Sequence, residues 1–385
     1  MEGILVELGL DSQTARITIS IIIAIIVLLV FVTVGGILTW VERRLSGFMQ
    51  SRLGPNRVGP QGFFQWIADG VKLVLKEDLI PDGADRILFR IAPYFCLIGV
   101  FCTLVVLPWG SGLIVADLNV GLFYFISITS LVVIGVLMAG WSSNNKWSLL
   151  GGMRSAAQIV SYEIPVSMGL LVPILISGTL SMQGIVASQG WLPWDWMLFK
   201  SPFTVLSFFI FFTGSLAEAN RIPFDLPEAE SELVSGYCTE YTGFRYAVFF
   251  LSEWANLFVL GALTATVYLG GGNIPGFANE NLLFSLLVFL AKTSIVIFLI
   301  IWIRWTLPRF RIDQLMKLSW KYLLPAAMVA FFGQAIYMLL TWKYQLFQLV
   351  TAILIFIIFL AILYLFIKRV LVNMREQKTP VNSPL

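Results

Sequence analysis

Histidine is absent from the 385-residue chain, cysteine occurs only three times (Cys96, Cys102, Cys238), and charged side chains make up just 12%. The first two scarcities exclude a histidine-ligated haem or zinc site and a four-thiolate iron–sulfur set, so any metal or redox centre must belong to a partner. The third excludes an ordinary soluble domain, where about a quarter of the residues are charged. A formal charge of +3 suggests no nucleic-acid partner. No signal peptide is expected: the segment before the first apolar run contains acids, and the run is too long for an h-region and lacks a small-residue cleavage site.

Apolar sequence is what the chain has in excess, at 58% with a mean hydropathy of +0.87. A membrane-crossing helix needs about 20 mainly apolar residues. Nine stretches meet or approach that length: 17–41, 91–110, 120–141, 158–179, 202–219, 246–269, 282–304, 322–342 and 346–367. The expectation is an all-α polytopic membrane protein, a single integral domain over 1–385 with about nine transmembrane helices. Between the spans, long polar loops (43–90, 142–157, 220–245, 305–321) alternate with loops almost free of cations. The first set, counted with Arg304 at its edge, and the C-terminal tail carry 21 Lys and Arg, the other set three (Arg16, Lys200, Lys343). That asymmetry predicts cytoplasmic long loops and C-terminus, with the N-terminus outside. The segment 343–385 reads as an extra C-terminal helix and tail.

In the first loop, a turn-rich GPNRVGPQG (54–62) precedes apolar residues at 63, 66, 67, 71, 74, 75 and 79, with Asp69, Lys72 and Lys76 on the other face. This is the pattern of an amphipathic helix, lying at the membrane interface or docked on a partner subunit.

Four ionisable residues fall inside spans: Glu163, Glu218, Glu253 and Lys292. Each costs about 2.5–3.5 kcal/mol at a helix centre, so each needs a partner or a wet cavity. Lys292 sits about 15 Å from the nearer end of its span at helical rise, which predicts incomplete snorkelling. Buried ion pairs that fix helix packing are one reading; a proton or ion route is the other. Three acids against one base favour the route, because unpaired carboxylates in a low dielectric exchange protons readily.

The stretch AEANRIPFDLPEAESELVSGY (217–237) gathers Glu218, Asp225, Glu228, Glu230 and Glu232 around one cation, Arg221. Pro223 predicts the end of the fifth span near Arg221. Asp225 with Glu228 three residues on predicts a capping box for a following helix. Glu218, Glu230 and Glu232 are left without a capping role, and a row of acids running from membrane depth into the loop suggests a proton path.

Four segments, ERRLSGFMQSRLGPNRVGPQG (42–62), GWSSNNKWSLLGGMRSAAQIVSYEIP (140–165), the acidic stretch itself and PRFRIDQLMKLSWK (308–321), resemble signatures of the quinone-site membrane subunit of proton-pumping NADH:quinone oxidoreductase, respiratory complex I. The resemblance covers about 17–342. It implies a bacterial inner-membrane subunit with no redox cofactor of its own and with quinone as substrate. FMN and the iron–sulfur clusters would lie in partner subunits, and both peripheral-arm and small membrane-arm subunits would be neighbours. By resemblance, Arg43, Arg44, Arg52, Trp66, Asp69, Lys72 and Phe224 belong to the quinone chamber. Glu163, Glu218, Asp225, Glu228, Glu230, Glu232, Glu253 and Lys292 belong to the proton path, with Arg221 as charged partner. The alternatives are the related membrane anchor of an energy-converting hydrogenase, a ferredoxin-driven plastoquinone reductase, and, more distantly, a free-standing ion transporter.

Overall fold

The computed structural model describes residues 12–110, 112–226, 230–273, 281–341 and 345–376. These residues form an all-α array with no sheet among them, only a single bridge between Gly110 and Leu113. The principal helices are α1 (Ser12–Met49), α2 (Gln65–Leu75), α3 (Arg86–Val106), α4 (Gly121–Ser142), α5 (Lys146–Ser177), α6 (Pro202–Glu218), α7 (Gly243–Tyr268) and α8 (Leu282–Thr306). The helix α9 combines Ile312–Lys317, a π-helical turn Leu318–Leu323 and Leu324–Thr341, and α10 is Gln345–Glu376. Seven of these, α1, α3, α4, α5, α7, α8 and α9, are long and apolar enough to cross a membrane, while α6 has 17 residues.

Local chemistry sets several of the ends. Asp85 caps α3 by accepting from the amides of Ile87 and Leu88 at 3.1 and 3.3 Å. Asn145 does the same for α5 through the Trp147 amide at 2.9 Å. Ser201 and Thr204 close a reciprocal capping box on α6, with Pro202 at its first turn. The helix α5 begins at Lys146, twelve residues before the apolar run at 158, so residues 146–157 are helix rather than loop. The cause is packing rather than hydropathy: a Cβ added at Gly140 would stand 3.1 Å from the Cα of Gly152, and small residues of this kind let helices approach closely.

At the centre stands α7, packed on α1, α3 and α8 and buried almost continuously from Leu257 to Tyr268. It ties together two ends of the bundle, one near Glu253 and the other near Leu269. The π turn in α9 faces α5: Ser319 Oγ donates to the Ser161 carbonyl at 2.5 Å, and Tyr162 Oη donates to the Leu315 carbonyl at 2.9 Å. Tyr162 also meets Phe224 edge-on at 5.5 Å, which anchors the loop after α6 to the bundle.

Candidate functional site

On α1 the buried positions Val27, Phe31, Gly35, Leu38, Glu42 and Ser46 recur at helical spacing, so an acid lies on the face that turns toward α7. Glu42 is 4% exposed and Arg221 2% exposed. Arg221 joins two carboxylates, with Nη1 at 3.4 Å from Glu42 Oε2 and Nη2 at 3.2 Å from Glu253 Oε1. Its guanidinium also lies 4.3 Å from the Trp254 ring centre. Arg304, from the last turn of α8, pairs with the other oxygen of Glu42. Two acids and two arginines therefore form one chain of charge drawn from α1, the loop after α6, α7 and α8. Beside it is a cavity of about 100 Å³ lined by residues that include Arg221, Tyr246, Phe250, Glu253, Trp254 and Arg304. A buried ion chain contributes little net stability, because desolvation offsets the attraction. What it supplies is a set of carboxylates whose charge depends on their neighbours.

A second and larger cavity, about 600 Å³, lies between α1, α2 and α7. Its walls are apolar, among them Leu28, Val32, Trp66, Val71, Phe244 and Leu251, and Asp69 is its one acid. The Trp66 ring covers Gly36, where an added Cβ would fall inside the ring. Asp69 pairs with Arg43, takes a hydrogen bond from Gln65 Nε2 at 3.1 Å, and lies 3.8 Å from Lys72 Nζ. Phe250 lines both cavities, so a single side chain stands between the apolar space and the ion chain.

The family described as NADH dehydrogenase matches residues 21–335. The H subunit of the NADH-quinone oxidoreductase of Anaeromyxobacter dehalogenans is 52% identical over 351 residues, 86% of this chain and 85% of that protein. That of Chlorobium luteolum is 50% identical over 310 residues, 77% of this chain and 83% of its own length. The NADH-quinone oxidoreductase subunit 8 of Rhodothermus marinus is 45% identical over 318 residues, 79% and 92% of the two chains. The chain belongs to this membrane-subunit family of NADH-quinone oxidoreductase.

In this member of the family the residues expected at the quinone chamber do not all lie together. Trp66 and Asp69 line the large cavity, and Arg43 and Lys72 join them through Asp69. Arg44 instead ties down the loop, donating to the Gln61 carbonyl at 3.1 Å. Arg52 is exposed and bonds Gln50 Oε1 at 2.6 Å. Phe224 is buried between Tyr162 and Phe310, and its carbonyl accepts from Gln158 Nε2 at 2.7 Å. It lines neither cavity.

The acids also divide. Glu253 is in the ion chain, while Glu163 lines a groove of about 460 Å³ between α4 and α5. Glu218, at the end of α6, lies within electrostatic range of Glu163, and among the described residues neither has an ion pair. Glu232 pairs with Arg154 at 2.7 Å. Asp225 pairs with Arg309 at 3.0 Å; the capping box expected of Asp225 and Glu228 involves residues 227–229, which lie outside the described residues. Glu228 and the side chain of Glu230 lie outside the described residues.

Lys292 is set apart from every one of these acids. Its amine reaches the far end of α7, donating to the Leu269 carbonyl at 2.6 Å and lying 4.8 Å from the Trp196 ring centre. The amine is thus held against the protein by a main-chain carbonyl and an aromatic face. Nearby, burial lowers the pKa of the Lys200 amine, opposed by the charge of Asp195.

Sequence reasoning passed over Glu42, Arg304 and Trp254. Glu42 follows the first apolar run and precedes two arginines; its helical spacing from Leu38 and Ser46 was the available signal. Arg304 looked like one more topology-setting cation.

Proposed function

We propose that this subunit forms the quinone chamber of the complex and the start of the route that couples quinone reduction to proton movement. The cavity between α1, α2 and α7 would take the quinone, with its apolar ring and tail along Leu28, Val32, Val71 and Leu251 and its oxygens toward the Arg43–Asp69 pair. A charge change at the quinone would reach Glu42 and Glu253 through the shared wall at Phe250. Asp225, Glu218, Glu163 and Glu232 would continue the route, with Glu228 and Glu230 in the same stretch. The observation that carries this reading is that wall: an apolar cavity large enough for a ring system lies one side chain away from a chain of buried carboxylates.

The same reading places α2 as an interfacial helix. It takes α6 and α10 as the remaining crossings of a nine-span, single-domain subunit, and it puts the long loops on the cytoplasmic side, where peripheral-arm subunits carrying the last iron–sulfur cluster would dock. The 21 to 3 distribution of Lys and Arg supports that orientation. The chain would itself bind no redox group: it has no histidine, and Cys96, Cys102 and Cys238 are too few for a four-thiolate cluster. Among the described residues no cluster of three or more His, Cys, Asp or Glu suits a metal ion.

The test uses the assembled complex in proteoliposomes. Gly36→Ala displaces Trp66 into the cavity and should raise the quinone KM several-fold, leaving electron transfer to an artificial acceptor ahead of the chamber unchanged. Glu253→Gln and Glu218→Gln remove a transferable proton at nearly constant shape and should lower quinone turnover and proton pumping together, by about tenfold or more. An unchanged KM in Gly36→Ala would move the quinone elsewhere. Wild-type pumping in both glutamine variants would end the proton-route assignment.

A further inference from the structure

At the Leu269 end of α7, the segment between α5 and α6 folds back as three short helices, Met182–Ala187, Pro193–Asp195 and Met197–Phe199. Side chains fasten it to the end of α7. Gln189 Nε2 donates to the carbonyls of Thr266 and Val267, each at 3.1 Å, while its Oε1 accepts from the Met197 amide at 3.0 Å. Asn273 Nδ2 donates to the Gln189 carbonyl at 2.7 Å, and Lys200 Nζ to the Ser188 carbonyl at 2.7 Å. Lys292 closes the set, with its amine on the Leu269 carbonyl and under the Trp196 ring.

The last turns of α7 are polar inside. Tyr268 Oη lies 3.0 Å from Ser207 Oγ, both buried, and Thr264 and Thr266 are buried with hydroxyls bonded to the carbonyls one turn before. Between them and Glu253 runs the buried apolar stretch Leu257–Leu263. These hydroxyls reach only as far as that apolar stretch, but they give water footholds at this end of α7 if it opens as a mouth. At that mouth stand a cation and an aromatic face. Fixed positive charge at the neck of a polar passage is a general way to exclude protons and cations. The negative end of the α7 dipole and the Trp196 ring hold the ammonium there.

We propose that the 182–200 segment, with Lys292 and Trp196, is an insulating plug that keeps the membrane face opposite the carboxylates closed to protons. This assigns Lys292 a barrier role instead of a place on the conducting route. It does not depend on the coupling mechanism, because a leak can be read with no substrate turning over.

The experiment measures passive proton flux after an imposed pH jump across proteoliposomes holding the purified complex, without NADH or quinone. Lys292→Met keeps the apolar stem and removes the charge; Lys292→Arg keeps the charge. Expected is a flux about tenfold above wild type for Lys292→Met, near wild type for Lys292→Arg, with quinone turnover largely retained but less stimulated by an uncoupler. Should Lys292→Met fail to assemble, Trp196→Leu, which removes the aromatic face and leaves the amine in place, should raise the flux in the same assay. An assembled Lys292→Met complex as tight as wild type, or leaks of equal size in the Met and Arg variants, overturns the proposal. So does a tight Trp196→Leu complex if that is the variant that assembles.

Discussion

Near Glu253, α7 meets Arg221 and Arg304 through the carboxylates of Glu42 and Glu253; at Leu269 the same helix meets the Lys292 amine and the Gln189 amide through main-chain carbonyls. Both ends satisfy buried donors, but with acceptors of different kinds. A carboxylate can lose its charge by taking a proton, and a guanidinium beside it then gains or loses a partner. A peptide carbonyl cannot. The first end can be switched by chemistry next to it, and the second is fixed whatever the chemistry does.

The most damaging way to break that contrast is Arg221→Met. It leaves Glu42 and Glu253 buried without the cation that joins them, and removing one partner of a buried pair costs about 3–5 kcal/mol. The purified complex should melt at lower temperature or lose this subunit, and turnover should collapse. At the fixed end, Gln189→Ala deprives the Thr266 and Val267 carbonyls and the Met197 amide of their partner. A stranded buried polar group costs about 1–3 kcal/mol, so thermal stability should drop, but unlike Arg221→Met the variant should keep turnover and quinone KM. Smallest is Asp225→Asn, which weakens only the pair with the partly exposed Arg309. A pair of that kind is worth about 1 kcal/mol or less, so melting should hardly move. A clear loss of pumping in Asp225→Asn at intact stability would extend the switchable end along the loop.

The apolar framework was readable because burial in a membrane needs only run length and composition, and each of the nine stretches falls mainly on a described helix. The start of α5 was not: SLLGGMRSAA is too small and polar to score as a span, and it is helical because glycine and serine let α4 come close. Glu42 shows the same limit at the site. Its partners Arg221 and Arg304 stand 179 and 262 residues away in sequence, and no local pattern foretells such a meeting. Acids of the 217–237 stretch were legible as a cluster, yet the pairing of Asp225 with Arg309 and of Glu232 with Arg154 was not, because it depends on which helix ends converge. Lys292 was visible as an anomaly, but its companions Trp196 and Leu269 lie in a fold-back and a helix end that carry no periodic signal.

Leu28 and Val32 both line the 600 Å³ cavity and are both exposed on α1, a helix long and apolar enough to cross a membrane. A quinone bound there, as proposed, would be drawn from the hydrocarbon, where its effective concentration is set by how it partitions and by how much lipid is present. Adding empty vesicles at constant total quinone should then slow the reaction by dilution, and affinities for long-tailed and short-tailed substrates become comparable only when expressed as mole fractions in the membrane.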